Sequence, residues 1–136
     1  MIKLYSDAAT KGNPGPTGLG WLIVAGGKQR KQRQQSATLA EADNHHGEFA
    51  AATAAFDDLL ANYCHDQVVM FYTDSRLLAD AIGKGYAKHY QPELDQLLER
   101  IDALPTVVTQ WVSESQNHGA HSLANQALQR LLKTEH

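Results

Sequence analysis

Apolar positions along the chain recur with two different periods. Ile2 to Ser6 alternates apolar and polar residues, the two-residue period of a strand. It runs into a turn-rich stretch, Asp7 to Pro16, where Gly12-Asn13-Pro14-Gly15 supplies the bend. Leu19 to Ala25 reads as a second strand, Gly26-Gly27 as a hairpin turn and Lys28 to Leu39 as a third strand. Within it, the stretch Lys28 to Gln35, dense in Gln, Lys and Arg, reads as a solvated outer strand or turn. Three successive strands with short connections predict an antiparallel meander.

The period then changes. Phe49, Ala52, Phe56, Leu59 and Tyr63 follow helical spacing, which predicts an amphipathic helix over Asn44 to Asn62 with Glu48 in its first turn. Gln67 to Thr73 is a short continuous apolar run, as expected of a buried parallel strand. Asp74-Ser75 opens a helix through Ile82, closed by Gly83 and Gly85, and Pro92 starts another that carries Leu94, Leu97, Leu98 and Ile101. Thr106 to Val112 is the last strand. Asn117 is placed to cap a final helix with Ala120, Leu123, Ala124, Ala127, Leu128 and Leu131 on its apolar face. The order β-β-β-α-β-α-α-β-α predicts an α/β domain, a mixed sheet flanked by helices.

Bulk properties narrow the function. At 136 residues the chain has room for one domain, expected to span 1–136. Its single cysteine, Cys64, excludes a disulfide framework and fits a small semi-buried thiol in a reducing, intracellular setting. No apolar run is long enough to cross a bilayer, and Met1-Ile2-Lys3-Leu4 lacks the apolar core of a secretory signal, so a cytoplasmic protein without a membrane partner is expected. The net charge of −3, from 12 Lys and Arg against 15 Asp and Glu, speaks against broad non-specific binding to nucleic acid. It leaves room for phosphate contact through a local patch or a metal.

Three carboxylates stand at informative places. Asp7 ends the first strand, Asp74 ends the fourth, and Glu48 lies near the start of the first long helix. If the first and fourth strands are neighbours, their ends bring Asp7 and Asp74 together beneath Glu48. Such a cluster repels itself unless a divalent cation is bound, and oxygen ligands suit Mg2+ or Mn2+. Two metals together can activate a water on one side of a phosphodiester and stabilise the leaving oxygen on the other. Taken singly, each acid has an ordinary explanation: Asp74 as a helix cap, Glu48 as a helix-dipole partner, Asp7 as a turn residue.

The combination resembles the ribonuclease H type 1 family. Leu4-Tyr5-Ser6-Asp7, the turn Gly12-Asn13-Pro14-Gly15 and Gly18-Leu19-Gly20-Trp21 look like that family's first strand, catalytic Asp, turn and second strand. Asn44-His45-His46-Gly47-Glu48-Phe49 is similar to the entry of its Glu-bearing helix, and Tyr72-Thr73-Asp74-Ser75 to its Thr-Asp-Ser. Asn117-His118-Gly119-Ala120-His121-Ser122-Leu123-Ala124-Asn125 resembles its last helix. The likeness covers nearly the whole chain. It implies a ribonuclease H-like fold with a five-stranded sheet, three strands antiparallel and then two parallel. It further implies hydrolysis of the RNA strand of RNA–DNA hybrids to 5′-phosphate and 3′-hydroxyl ends, with Asp7, Glu48 and Asp74 as catalytic metal ligands of a two-metal site. Gly12, Asn13, Gly15 and Asn44 are the expected substrate contacts, because RNA is told from DNA through its 2′-hydroxyls.

Two departures qualify the resemblance. At the family's fourth catalytic Asp this chain has His121, expected as a catalytic metal ligand that tilts the site toward Mn2+, the alternative being an exposed helix residue that binds nothing. The basic protrusion that many members carry is reduced to Gly83-Lys84-Gly85-Tyr86-Ala87-Lys88-His89-Tyr90, a compact form whose Lys84, Lys88, Tyr86 and Tyr90 are either a small basic-aromatic patch or a solvated turn. His45 and His46 are expected to have no role, and that of His118 stays open. A second reading therefore stands beside the nuclease: a weak or silent nucleic-acid or protein interaction domain on the same fold.

Overall fold

The computed structural model describes residues 1–26 and 31–134. Five strands form one mixed sheet: β1 (Ile2–Thr10), β2 (Gly15–Ala25), β3 (Lys31–Ala42), β4 (Val68–Thr73) and β5 (Thr106–Trp111). Four α-helices accompany it: α1 (Asn44–Asn62), α2 (Arg76–Lys84), α3 (Gln91–Asp102) and α4 (His118–Thr134). The order across the sheet is β3-β2-β1-β4-β5. β1, β2 and β3 pair antiparallel, whereas β1–β4 and β4–β5 are parallel. This is the expected meander followed by two parallel strands.

Some boundaries moved. β1 does not end at Asp7 but continues to Thr10, because Ala8, Ala9 and Thr10 still find partners in Leu19, Gly18 and Thr17. β2 correspondingly begins at Gly15, and the turn shrinks to residues 11–14. The predicted Gly26-Gly27 turn and the start of the third strand fall partly outside the described residues. Gly26 itself has φ 85°, in the left-handed region that glycine tolerates. β5 stops at Trp111, and a short 3-10 turn at Glu114–Gln116 precedes α4. Cys64 is exposed rather than semi-buried, since α1 has already ended at its C-cap residue Tyr63.

The helical period of α1 buries Phe49, Ala52, Phe56 and Leu59 against Leu4, Ile23, Val69 and Phe71 of the sheet. Each fully buried large side chain contributes about 1.5–3 kcal/mol. Asp58 of α1 ties β2 and the edge strand β3 to this core, accepting from Trp21 Nε1 at 2.9 Å and from Arg33 Nε at 3.0 and 2.9 Å.

The opposite side of the meander is packed by α4, and two glycines set its distance. A Cβ on Gly18 would stand 2.1 Å from the Ala124 carbonyl oxygen, and one on Gly20 would stand 2.5 Å from Ala124 N and 2.6 Å from Ala120 O. Backbone therefore lies on backbone, with Ala120, Ala124 and Ala127 fully buried at the seam. This contact fixes which face of α4 looks at β1.

Candidate active site

Parallel pairing sets Tyr5 opposite Tyr72, so Asp7 and Asp74 emerge from the same end of two adjacent strands. α1 crosses there, and Glu48 Oε1 accepts from the backbone N–H of Ala8 at 3.1 Å. Glu48 lies just beyond the helix's first turn, which holds no acid. Asp7, Glu48 and Asp74 each offer a carboxylate oxygen, all within 4.8 Å of one another. The ordinary explanation of Asp74 as a helix cap does not apply: Ser75 caps α2, its side chain accepting from Leu78 N–H at 3.2 Å.

Asp74 is held by its backbone. Its carbonyl accepts from Trp111 Nε1 at 3.0 Å, Val112 N–H donates to Thr73 O at 2.9 Å, and Ser75 N–H donates to Thr73 Oγ1 at 3.1 Å. The carboxylate is thereby left to the cluster.

Electrostatics show the cost of this crowding. Burial, and after it the charge of Asp7, pushes the Glu48 carboxyl well above its ordinary range. Asp74 is pushed up to about 6 by burial and by the Asp7 charge, with Glu114 adding to the rise while the Asn117 amide and His121 oppose it. Glu48 Oε2 is buried and has no hydrogen-bond partner among the described residues. Orphaned buried carboxylate oxygens are costly. A hard divalent cation would relieve both the orphan and the repulsion, and an all-oxygen donor set fits Mg2+ or Mn2+.

His121 joins the cluster: its Nδ1 lies 2.7 Å from Asp7 Oδ2, and its Nε2 lies 2.9 Å from Asn125 Nδ2. Asn117 stands at the cap position expected of it, its carbonyl accepting from His121 N–H at 3.1 Å, but its side chain points inward. It is 1% exposed, and its Nδ2 donates to Ser6 O at 2.9 Å, next to Asp7 in the chain. Asn117 and Asn125, which bound the last-helix motif without being named as site residues, are thus neighbours of the site, and Glu114 is one that motif reading missed. The spacing of Asn117, His121 and Asn125, four residues apart, was the available signal, because it places all three along one side of a helix.

Two of the expected substrate contacts meet each other. Asn13 Oδ1 accepts from the Asn44 N–H at 2.9 Å and so joins the turn to the start of α1. Gly12, Asn13 and Asn44 are exposed. Gly15 is buried and has an internal reason to be glycine: a Cβ there would stand 1.8 Å from Lys11 O. His45 packs edge-on against Tyr90, and His46 lies 3.6 Å from Glu93. Lys84, Tyr86, Lys88 and Tyr90 line one cavity. Tyr90 stacks on Phe49 and donates to Asp43 at 3.1 Å, whereas Tyr86 is 60% exposed beside Lys84 and Lys88.

Among the described residues, no helix is long and apolar enough to cross a membrane. The chain is 36% identical over 132 residues to EbsB of Enterococcus faecalis, which carries a hydrolase name, covering 96% of each. It is 37% identical over 90 residues to a ribonuclease HI of Synechocystis, a match spanning 66% of this chain and 52% of that one. Among solved structures, an RNase H1 from Halobacterium salinarum superposes with a TM-score of 0.83 at 25% identity, over 95% of this chain and 98% of that one. LC11-RNase H1, solved in complex with an RNA/DNA hybrid, superposes with a TM-score of 0.86 at 24% identity, over 97% of this chain and 99% of that one, and shows the shared fold. Because the RNase H family model also matches residues 1–134, nearly the entire chain, this protein belongs to the RNase H family.

Proposed function

We propose that the chain is a metal-dependent endonuclease that hydrolyses the RNA strand of RNA–DNA hybrids to 5′-phosphate and 3′-hydroxyl products. The observation that carries this reading is the convergence of Asp7, Glu48 and Asp74, with a buried Glu48 Oε2 that has no geometrically formed hydrogen bond among the described residues. These carboxylates would hold Mg2+ or Mn2+, with His121 as the fourth residue of the site. Bound there, the metal supplies a water acidic enough to attack a phosphodiester and charge to steady the leaving oxygen.

The chain's own groups do the rest. The Ala8 N–H fixes one oxygen of Glu48, and the Trp111 indole fixes the backbone of Asp74, so neither carboxylate has to reorganise when substrate arrives. The exposed Gly12, Asn13 and Asn44, on the turn and helix end beside Glu48, are the proposed contacts to the hybrid, with Gly15 shaping the turn beneath them. Names among the relatives and the hybrid bound to LC11-RNase H1 support this substrate class. With residues 85–90 as the whole connection between α2 and α3, little protein is available there to grip the hybrid, and modest affinity is expected.

The test is cleavage of a hybrid labelled on its RNA strand, in Mg2+ and separately in Mn2+, with Asp74→Asn as control. RNA-strand cleavage that disappears in the variant supports the proposal. No cleavage in either metal by folded protein would refute it and favour an interaction domain that keeps the fold without the reaction.

A further inference from the structure

β5 is an edge of the sheet and pairs with β4 alone. The Val112 N–H donates to Thr73 O at 2.9 Å, which sets the phase of that ladder. Val108 and Gln110 turn their backbone groups toward β4, and Val107, Thr109 and Trp111 turn theirs outward. Apart from a long 3.5 Å approach of Gln110 Nε2 to Trp111 O, no described residue meets these outward groups. Such a row is a template for another strand. The opposite edge, β3, is guarded by Lys31, Arg33 and Glu41, whereas β5 carries neither a charged residue nor a proline.

The side chains of β5 suit a copy of the same strand. α4 packs on β1, β2 and β3, so Val68 and Val108, on the side of the sheet it occupies, stay 42% and 41% exposed. A two-fold axis at Thr109 would set Thr109 opposite Thr109 of the second copy and Val107 opposite its Trp111. Every outward residue then meets an outward residue, and each such pair exchanges two backbone bonds. Thr–Thr and aromatic–β-branched pairs are favourable across strands. Centring the axis on Val108 instead would bring Trp111 opposite Pro105, which has no N–H to give.

The geometry points to a second copy of this chain as the occupant of this edge: two protomers join β5 to β5, antiparallel, into one continuous sheet. A two-fold contact sets a surface against itself, so a charged strand would repel its own copy, and neutral β5 does not. The whole chains, each of net charge −3, repel weakly at a distance, and salt should therefore strengthen the dimer. An association built on ion pairs would respond in the opposite sense. A strand pair with few side chains around it is a small interface, so the dimer is weak. Asp7, Glu48 and Asp74 lie outside the paired strand, and the dimer stands independently of any metal they hold.

Sedimentation equilibrium of the unaltered chain from about 5 to 500 µM, a span that brackets the micromolar affinity of small interfaces, should show monomer passing to dimer. More dimer is expected at higher salt. A chain that stays monomeric throughout, or dimerises less in salt, would overturn the inference and leave the edge to a strand of a different protein. The axis is read from Thr109→Lys and Thr109→Glu, each of which sets like charges face to face. Each should weaken the dimer about fivefold or more, and their equimolar mixture should recover to within about twofold of wild type. Variants that dimerise like wild type, or a mixture no tighter than its components, would refute the pairing at Thr109. Amide exchange of the unaltered chain needs no variant to fold. As dimer accumulates, the Val107, Thr109 and Trp111 amides should slow, while Val108 and Gln110, already bonded to β4, keep their rates. Outward amides that exchange equally fast in monomer and dimer would overturn the inference.

Discussion

Asp74→Asn should abolish cleavage and, with metal removed, make the protein more stable. Asp74 sits with Asp7 and Glu48 at separations within 4.8 Å, where a pair of unit charges at an effective dielectric constant near 20 repels by about 3.5 kcal/mol. The carboxyl is pushed up from 3.8 to about 6, first by burial and then by Asp7. Two units correspond at face value to about 3 kcal/mol. The side chain is only half-buried, so water screens much of this and about 1–1.5 kcal/mol is the reasonable expectation.

The sign follows from proton counts. Between the unfolded and folded values the native state binds more protons than the unfolded chain, so stability falls as pH rises through roughly 4 to 6, and the deficit persists above it. Neutral Asn removes the deficit. For a domain of this size that is a rise in Tm of about 3–6 °C. The assay is thermal unfolding followed by circular dichroism in chelator, at pH 7 and at pH 4.5. The gain should be present at pH 7 and shrink toward zero at pH 4.5, where wild-type Asp74 already carries its proton. A variant equal to or less stable than wild type at pH 7, or a gain independent of pH, would refute the reasoning.

Other outcomes follow from the same contacts. Gly20→Ala should lift α4 from β2, because the new methyl meets helix backbone at 2.5–2.6 Å; a loss of about 2–4 kcal/mol in urea denaturation is expected, with hybrid cleavage falling as His121 is displaced. Asn117→Ala removes the bond to Ser6 O and the amide that holds Asp74 down, so stability should drop by about 2 kcal/mol. The acid limb of its pH–rate profile should also move to higher pH, which a stability loss alone would not produce. Trp111→Phe deletes the indole bond to Asp74 O and alters the stack under Arg76, which lies 4.0 Å from the ring; kcat should fall more than KM rises, as read from steady-state cleavage of the labelled hybrid. Saturating Mg2+ should raise the Tm of wild type and leave that of Asp74→Asn unchanged, because only the intact cluster gains from binding.

The helices and strands of this chain were legible because their apolar spacing is local. Phe49, Ala52, Phe56 and Leu59 mark α1, and its predicted limits coincide with those observed. The apolar run before Asp74 marks β4, and the sharp turn at Gly12 to Gly15 marks the meander's first corner. Their places at two strand ends and a helix start let Asp7, Glu48 and Asp74 be named together, and the structure brings them together. Strand ends were less legible: whether Ala8 to Thr10 continue β1 depends on Gly18 and Leu19 lying opposite, a pairing that no local pattern encodes.

Tertiary structure alone decided how the site is braced. Asn117 looks like a helix cap in sequence, yet it is drawn inward because Ser6 O, more than a hundred residues away, needs a donor in a place closed to water. The exposure of Cys64, the inward turn of Tyr90 and the pinning of Asp74 by Trp111 are likewise products of distant segments meeting. His121 is the clearest case. The sequence determined that an imidazole stands in place of a carboxylate; packing of α4 on Gly18 and Gly20 brought that imidazole to 2.7 Å from Asp7. Residue type is local information, whereas the neighbours a side chain meets depend on every backbone contact that places its helix.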